Sequence, residues 1–223
     1  MLYVAGVPIN DDYSGISDDL AKIIKESDFV IGEERKNTLR LLAKVGARGK
    51  SFYLLNEHTS YDQLVDIVNK IAEAEKVVFF SDSGTPCVAD PGYRFIDLCY
   101  ERGIKISAIP GPSSITTALS ISGFYAEKFY FAGFLPKDRK DFKKFLTDID
   151  MLGVTTVVFE RPYGIKNIIE FLKLIKNRRI ALIVKIGYED GFVYRGEALQ
   201  VYNELINKNF PKSPFVLVIE SLR

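Results

Sequence analysis

Short apolar strand segments alternate with helical segments from Leu2 to Ile109, and this alternation constrains the fold more than any other feature. The strand segments are almost continuously apolar, as a parallel sheet covered by helices on both faces requires. Because the connections are short, the pattern predicts β-α units wound into a mainly parallel sheet. The predicted strands are 2–5, 28–31, 52–55, 77–80 and 104–109, separated by helices at 18–27, 34–45, 60–71 and 93–102.

The second half of the chain again predicts an α/β fold, with more hairpin character. We place a boundary near residue 112, which gives a Rossmann-like domain over 1–112 and a C-terminal α/β domain over 113–223. The predicted strands of that domain are 128–134, 154–159, 179–184, 191–195 and 215–220, and its helices are 113–121, 138–149, 165–175 and 199–206.

Composition narrows the class of protein. Two cysteines are too few for a disulfide scaffold and lack zinc-site spacing, so we expect a reduced, cytoplasmic protein. One histidine cannot supply a histidine triad or a metal cluster, and we expect no metal. The net charge of +1 gives no global basic field. We expect no membrane association, since no apolar run is long enough to span a bilayer. The apolar N-terminal segment has no cationic region before it, so it predicts a strand and not a signal peptide.

Two loops of small residues follow predicted strands and indicate a ligand site. The first runs from Ser81 to Gly92, with Gly84-Thr85-Pro86 at its centre, and the second is Pro110 to Ser114. Loops at the carboxyl ends of neighbouring strands are where an open α/β sheet binds ligands. Ordinary turn formation explains either loop taken alone, but two together favour one pocket with backbone donors on both walls.

The chemistry of the loops favours a nucleoside over a pyrophosphate. Neither loop contains a Gly-x-Gly-x-x-Gly motif or a Walker lysine. Prolines remove N–H groups that a phosphate cradle would use, and Asp82 would repel the phosphates. A carboxylate can instead meet ribose hydroxyls or an ammonium group. The alternative for Asp82 is a local Asx turn.

A series of motifs along nearly the whole chain resembles one family. The segments are 5–10 (AGVPIN), 33–36 (EERK), 81–86 (SDSGTP), 90–94 (DPGYR), 109–114 (IPGPSS), 122–124 (SGF), 133–136 (GFLP) and 159–163 (FERPY). In this order and spacing they resemble the tetrapyrrole-methylase superfamily of S-adenosylmethionine-dependent methyltransferases. The chain looks most like the branch that methylates a cytidine ribose 2′-hydroxyl in small-subunit ribosomal RNA.

The resemblance implies two α/β domains, with S-adenosylmethionine in the cleft between them, and a homodimer. It assigns cofactor contacts to residues at the strand ends and to one residue of the second domain. These are Pro8, Asp82, Ser83, Gly84, Cys87, Val88, Ser113, Ser114 and Val184. It assigns substrate contacts to Arg35, Asp90 and Glu160.

Lys185 is the candidate catalytic residue, although its surroundings depart from the family pattern. The stretch Ile183 to Glu189 retains a lysine where the family usually has Arg-Glu-Leu-Thr-Lys. A neutral lysine could accept the ribose proton, and a charged one could position a phosphate. The alternative is a solvated lysine at a strand end. For Asp90 the alternative is a turn or a helix N-cap, with Pro91 in the first helical position.

We therefore expect a ribose 2′-O-methyltransferase that acts on small-subunit ribosomal RNA or on the small ribosomal subunit. One alternative keeps the cofactor and changes the acceptor to a tetrapyrrole or another small molecule. Another is a protein that binds the cofactor or RNA with weak catalysis, because the usual Glu-Leu-Thr stretch is missing near Lys185. The basic run from Lys137 to Lys144 could bind phosphates or could be a solvated helix face.

Overall fold

The computed structural model describes residues 1–210 and 212–222 and contains two compact units. Unit 1 is Met1–Ser113 and unit 2 is Ser114–Arg223. Each unit contains a five-stranded sheet covered by helices. This confirms the predicted class of fold, an α/β chain.

Unit 1 is a parallel sheet with helices on both faces. Its strands are β1 (Leu2–Ala5), β2 (Phe29–Gly32), β3 (Phe52–Leu54), β4 (Val77–Phe80) and β5 (Ile106–Ile109), and its helices are α1 (Asp18–Glu26), α2 (Arg35–Lys44), α3 (Tyr61–Ala72) and α4 (Tyr93–Glu101). The strand order is β3-β2-β4-β1-β5, and every pairing is parallel. Helices α1 and α2 pack on one face, and α3 and α4 pack on the other.

Alternation along the strands explains why two cores form in unit 1. Val78 and Phe80 of β4 face α1 and α2, whereas Val77 and Phe79 face α3 and α4. All four side chains are buried. The sheet is therefore buried on both faces, which accounts for the continuously apolar strand segments of the sequence.

Unit 2 has a mixed sheet. Its strands are β6 (Phe129–Phe134), β7 (Thr155–Glu160), β8 (Arg179–Val184), β9 (Phe192–Glu197) and β10 (Phe215–Ile219), and its helices are α5 (Ser114–Ser122), α6 (Phe142–Leu152), α7 (Ile165–Leu172) and α8 (Ala198–Leu205). The order is β6-β7-β10-β8-β9, in which only β6 and β7 pair in parallel. A single core cluster joins α6, α7 and α8 to the sheet, and α5 packs against β7, β8 and β10.

One predicted helix start differs from the structure by more than one residue. The helix predicted over 138–149 begins as a 3-10 turn at Arg139–Asp141, and α6 starts only at Phe142. Asp138 caps the 3-10 turn by accepting a hydrogen bond from the Lys140 N–H at 3.0 Å. Helix α4 starts at Tyr93, as predicted, with Gly92 in the N-cap position. The N-cap alternative for Asp90 is therefore wrong, and Asp90 lies in the bend that precedes the helix.

Candidate functional site

The carboxyl ends of the unit 1 strands lie at one edge of the sheet, because all five strands are parallel. At this edge, neighbouring strands β1 and β4 lead into helices on opposite faces of the sheet, α1 and α4. A divergence of this kind is a topological switch point, where open α/β sheets place their ligand crevice. The loops after β1, β2, β4 and β5 are therefore the ones to consider as a site.

The loop after β4 is joined to the loop after β1. The Val7 and Gly84 backbones exchange two hydrogen bonds, at 2.9 and 3.1 Å. The Ser83 hydroxyl donates to the Ile9 carbonyl at 3.0 Å. Gly84 has a φ of +71°, a conformation that favours glycine. Among the predicted cofactor residues, Pro8, Ser83 and Gly84 are thus brought together, with Pro8 buried.

The loop after β5 closes against the same group. The Thr85 hydroxyl donates to the Pro112 carbonyl at 3.3 Å. At the strand ends, a Cβ on Gly111 would lie 2.5 Å from the Gly6 carbonyl atoms, so only two glycines allow this approach. The two small-residue loops of the sequence are therefore neighbours. Ser113 follows directly, and Ser114 begins α5 in unit 2.

Asp82 ties β4 to the start of α2. One carboxylate oxygen accepts a hydrogen bond from the Glu34 N–H at 3.1 Å, and the other accepts from the Asn37 side chain at 2.6 Å. Burial raises the pKa of Asp82 above its ordinary value, and the Asn37 hydrogen bond opposes that rise. The carboxylate is not in a local Asx turn, because its partners come from a distant loop.

A second carboxyl group, Glu33, lies beside Asp82. The Asp82 N–H donates to Glu33 Oε2 at 3.3 Å. Burial, together with the charges of Asp90, Asp82 and Glu34, raises the pKa of Glu33 to about 7. The sequence motifs include Glu33 in the segment 33–36, but they assign no contact to it. The signal was its place directly after the buried strand β2, at the same edge as the two loops.

Cys87 and Asp90 line a cavity of about 560 Å³ between the loop after β3 and the start of α4. Pro8, Asp82, Ser83 and Gly84 do not line it. Burial, reinforced by the charge of Asp82, raises the pKa of Asp90 to about 6, against the lowering effect of a hydrogen bond with Ser81. Cys87 and Ala89 adopt positive φ values of 67° and 58°, while Val88 is 43% exposed.

Lys185 follows β8 in unit 2 and has a φ of +55°. Its ammonium group donates to the carboxylate of Asp190, an ion pair that lowers the pKa of Asp190. An ion pair with a carboxylate favours the phosphate-positioning role over the role of a base, because a phosphate can take the place of the carboxylate. The adjacent Val184 side chain is fully buried in the core of unit 2, so only its backbone can meet a ligand.

Glu160 is buried at the end of β7, where it orders a turn. Its Oε1 accepts a hydrogen bond from the Arg161 N–H at 2.7 Å. A Cβ on Gly164 would lie 2.3 Å from the Glu160 carboxyl carbon, so the turn closes tightly over this side chain. Burial raises the pKa of Glu160, although Arg161 favours its charged form. Arg161 at this turn is half-buried, and its guanidinium lies 4.9 Å from the Phe134 ring centroid.

The remaining charged candidates lie on exposed surfaces. Arg35 begins α2 with its guanidinium 5.3 Å from the Phe52 ring centroid. In the basic run, Lys140 pairs with Asp138 at 3.0 Å. Within the part of the chain that the structure describes, no cluster of His, Cys, Asp and Glu side chains could hold a metal ion. None of the helices described there is long and apolar enough to cross a membrane.

Comparison with known proteins gives relatives over most of the chain. The chain is 29% identical to ribosomal RNA small subunit methyltransferase I of Thermotoga maritima over 208 residues, 93% of this chain and 92% of that protein. It is 32% identical to the protein of the same name from Leptospira borgpetersenii over 205 residues, 88% of this chain and 79% of that one.

Solved structures agree on the fold. A crystal structure of diphthine synthase covers 99% of this chain and 89% of its own, with a TM-score of 0.71 at 16% identity. Uroporphyrin III C-methyl transferase from Thermus thermophilus covers 98% of this chain and 96% of its own, with a TM-score of 0.62 at 12% identity. Residues 1–201 match the family model of the tetrapyrrole (corrin/porphyrin) methylases. The chain belongs to this family, as its sequence motifs predict.

Proposed function

We propose that this protein is an S-adenosylmethionine-dependent methyltransferase that methylates a cytidine ribose 2′-hydroxyl in small-subunit ribosomal RNA. The observation that carries the proposal is the similarity to ribosomal RNA small subunit methyltransferase I along 93% of the chain. A cytoplasmic location and a homodimer are parts of the same proposal. Light scattering of the purified protein tests the dimer.

The acidic side chains at the carboxyl ends of the unit 1 strands fit this cofactor. Glu33, Asp82 and Asp90 make the edge acidic, and no Lys or Arg occurs between Ser81 and Gly92. S-adenosylmethionine carries a sulfonium and an ammonium group against one carboxylate, so an acidic edge stabilises it, whereas a pyrophosphate would be repelled. When bound, the cofactor supplies an electrophilic methyl group.

The residues of this chain bind the cofactor and orient it toward the ribose hydroxyl. Pro8, Ser83 and Gly84 are held by the contacts between the loops after β1 and β4, and we assign them to the cofactor together with Asp82. The further cofactor contacts that we propose are those of Cys87, Val88, Ser113, Ser114 and the Val184 backbone. A 2′-hydroxyl is a weak nucleophile, so holding it in line with the methyl group is the main contribution to rate.

Lys185, Arg35 and Arg161 are the groups that we assign to the RNA. An RNA phosphate can replace Asp190 as the partner of the Lys185 ammonium group. Arg35 is exposed and Arg161 is half-buried. Both are cations that can contact other phosphates. Asp90 is assigned to the substrate, and the buried Glu160 acts by ordering the turn that carries Arg161.

Methyl transfer to isolated small ribosomal subunits tests the proposal. With labelled S-adenosylmethionine, we expect label in the ribosomal RNA, and mapping should find a 2′-O-methylated cytidine. Lys185→Ala should raise KM for the subunits more than it lowers kcat, and Lys185→Arg should restore part of the loss, because the charge is kept. The absence of transfer to any small-subunit RNA would contradict the proposal.

Calorimetry with S-adenosylmethionine tests the cofactor assignment separately. Asp82→Ala should weaken binding by about tenfold or more, because it removes a carboxylate from the acidic edge. Asp97→Ala is the matched control, since Asp97 is an exposed carboxylate on α4. Equal affinities of the two variants would remove Asp82 from the cofactor site.

A further inference from the structure

The cavity between the loop after β3 and the start of α4 has the size and lining of a small-molecule site. Its volume of about 560 Å³ lies within the range of ligand pockets. Its apolar lining includes Leu55, Leu64 and Phe95, which are at most 7% exposed. These side chains belong to the core formed with α3 and α4, so the lining is part of the folded sheet and its helices.

The walls of the cavity are held in fixed conformations. Gly92 has a φ of +123°, and a Cβ there would lie 2.8 Å from the Phe79 ring and 3.0 Å from the Cys87 sulfur. On the opposite wall, the Asn56 N–H donates to the Thr59 hydroxyl at 2.9 Å, and the Thr59 N–H returns a bond to the Asn56 carbonyl at 3.1 Å. The cavity is therefore a formed feature of unit 1.

Two tyrosines of the lining are largely uncovered. Tyr61, in the first turn of α3, is 65% exposed, and Tyr93, in the first turn of α4, is 63% exposed. The Arg94 guanidinium lies 5.6 Å from the Tyr93 ring centroid and donates to the Tyr93 hydroxyl at 2.9 Å. Exposed aromatic and guanidinium planes beside a cavity are the surfaces on which proteins stack unpaired nucleic-acid bases.

The charges of the lining indicate which part of a nucleotide would enter. Asp90 and Glu57 are acidic, and Arg94 is the one cation of the lining, so a free phosphate is disfavoured. A planar, neutral group with an exocyclic amine fits better, because the amine can donate to the Asp90 carboxylate or to the Asn56 side-chain oxygen. Cytosine presents such an amine, and uracil presents a carbonyl oxygen at the same position.

We propose that this cavity binds an unstacked, amine-bearing base of the substrate RNA, such as cytosine, stacked on Tyr93 and Tyr61. The inference rests on the proposed function and deepens it, because it adds a base-binding position to the RNA site. Of the residues that we assign to the cofactor, only Cys87 lines this cavity. Substitutions at Tyr61 and Tyr93 therefore leave the proposed cofactor contacts in place, and their effect on RNA affinity is separable from cofactor binding.

Fluorescence anisotropy with short labelled oligocytidine and oligouridine strands tests the inference on the full chain. Wild-type protein should bind oligocytidine more tightly. Tyr93→Ala and Tyr61→Ala should each weaken that binding by roughly fivefold or more, the loss expected for one stacking platform. Tyr100→Ala is the matched control, since Tyr100 is 64% exposed on α4 but does not line the cavity. Circular dichroism of each variant checks that it is folded.

The outcomes separate this inference from the proposed function. Oligonucleotide affinities of Tyr93→Ala and Tyr61→Ala equal to that of Tyr100→Ala would overturn the inference, even where wild-type protein methylates ribosomal RNA. A loss of S-adenosylmethionine affinity in Tyr93→Ala without loss of RNA affinity would also overturn it, by making the cavity a cofactor pocket. Equal binding of oligocytidine and oligouridine would refute the preference for an amine. Failure of the proposed function appears instead as absent methyl transfer by the wild-type protein.

Discussion

At the scale of single residues, the backbones of Gly6 and Gly111 approach each other too closely for a side chain at either position. A Cβ on Gly111 meets Gly6 backbone atoms at 2.5 Å, and backbone cannot move aside as a flexible side chain can. We expect Gly111→Ala to lower the free energy of unfolding by about 3 kcal/mol, as overpacking does. Urea denaturation measures the loss.

Gly103→Ala separates this crowding from a loss of glycine's conformational freedom. Gly103 has a φ of +67° with nothing within 4 Å of an added Cβ. Its replacement should cost only about 1 kcal/mol, the strain of a left-handed alanine. Equal losses for the two variants would show that the ends of β1 and β5 separate easily, contrary to the geometry of the site.

The Glu33 side chain makes stability depend on pH. Its pKa rises from an ordinary 4.5 to about 7 in the folded protein, so the folded state binds more protons than the unfolded state between these values. Stability therefore falls as the pH rises through this window. We expect Glu33→Gln to flatten the fall and to stabilise the protein by about 1 kcal/mol at about pH 8, allowing for solvent screening of a partly exposed group.

Unfolding in urea at several pH values checks this dependence. Glu73→Gln is the control, because Glu73 is an exposed glutamate at the C-terminal end of α3 and does not contribute to the raised pKa of Glu33. A wild-type profile that keeps its slope in Glu33→Gln would assign the slope to Asp90 or Asp82 instead. Those carboxyl groups have raised pKa values of the same physical origin.

At the scale of elements, α3 begins with a reciprocal capping box. The Gln63 N–H donates to the Ser60 hydroxyl at 3.3 Å, and the Ser60 N–H donates to the Gln63 side chain at 2.8 Å. We expect Ser60→Ala to cost about 1 kcal/mol of stability. In a double-mutant cycle with Gln63→Ala, the two losses should add to more than the loss of the double variant, and additive losses would contradict the box.

The sequence predicts the elements well where burial and local signals agree. Strand β4 falls on its predicted residues, 77–80, since both faces of the strand are buried and every residue is apolar. The start of α3 at Ser60 can be predicted from the sequence for a similar reason, because its capping partner Gln63 lies only three residues away. The start of α6 was misplaced, because Asp138 caps a 3-10 turn at Arg139–Asp141 and the α-helix begins only at Phe142.

The candidate site is less predictable, because its contacts join distant segments. Sequence motifs pointed to Asp82, but its bond to Asn37 spans 45 positions and depends on strand order. The same holds for Glu33, whose pKa is raised by burial and, to a smaller extent, by the neighbouring carboxyl groups Asp90, Asp82 and Glu34. The cavity beside Tyr93 needs the packing of α3 against α4, which no local pattern encodes.

At the scale of the whole molecule, each unit has hydrophobic cores of its own. The two clusters of unit 1 contain residues from Leu2 to Ile109, and the cluster of unit 2 contains residues from Ala132 to Ile219. No cluster among the described residues is shared by the two units. A fragment of residues 1–113 therefore retains both hydrophobic clusters of its sheet, and its length is sufficient for an independent domain.

We expect the 1–113 fragment to fold alone and to unfold cooperatively in urea, with native near-ultraviolet circular dichroism from its tyrosines. A fragment of residues 1–90 is the control. It lacks α4 and β5, so Phe95, Leu98 and Cys99 no longer cover one face of the sheet, and the paired edge of β1 is lost. It should show no cooperative transition. If the 1–113 fragment also showed no cooperative transition, the cores of unit 1 would depend on unit 2 for their stability. Residue 113 would then separate two compact units that do not fold independently.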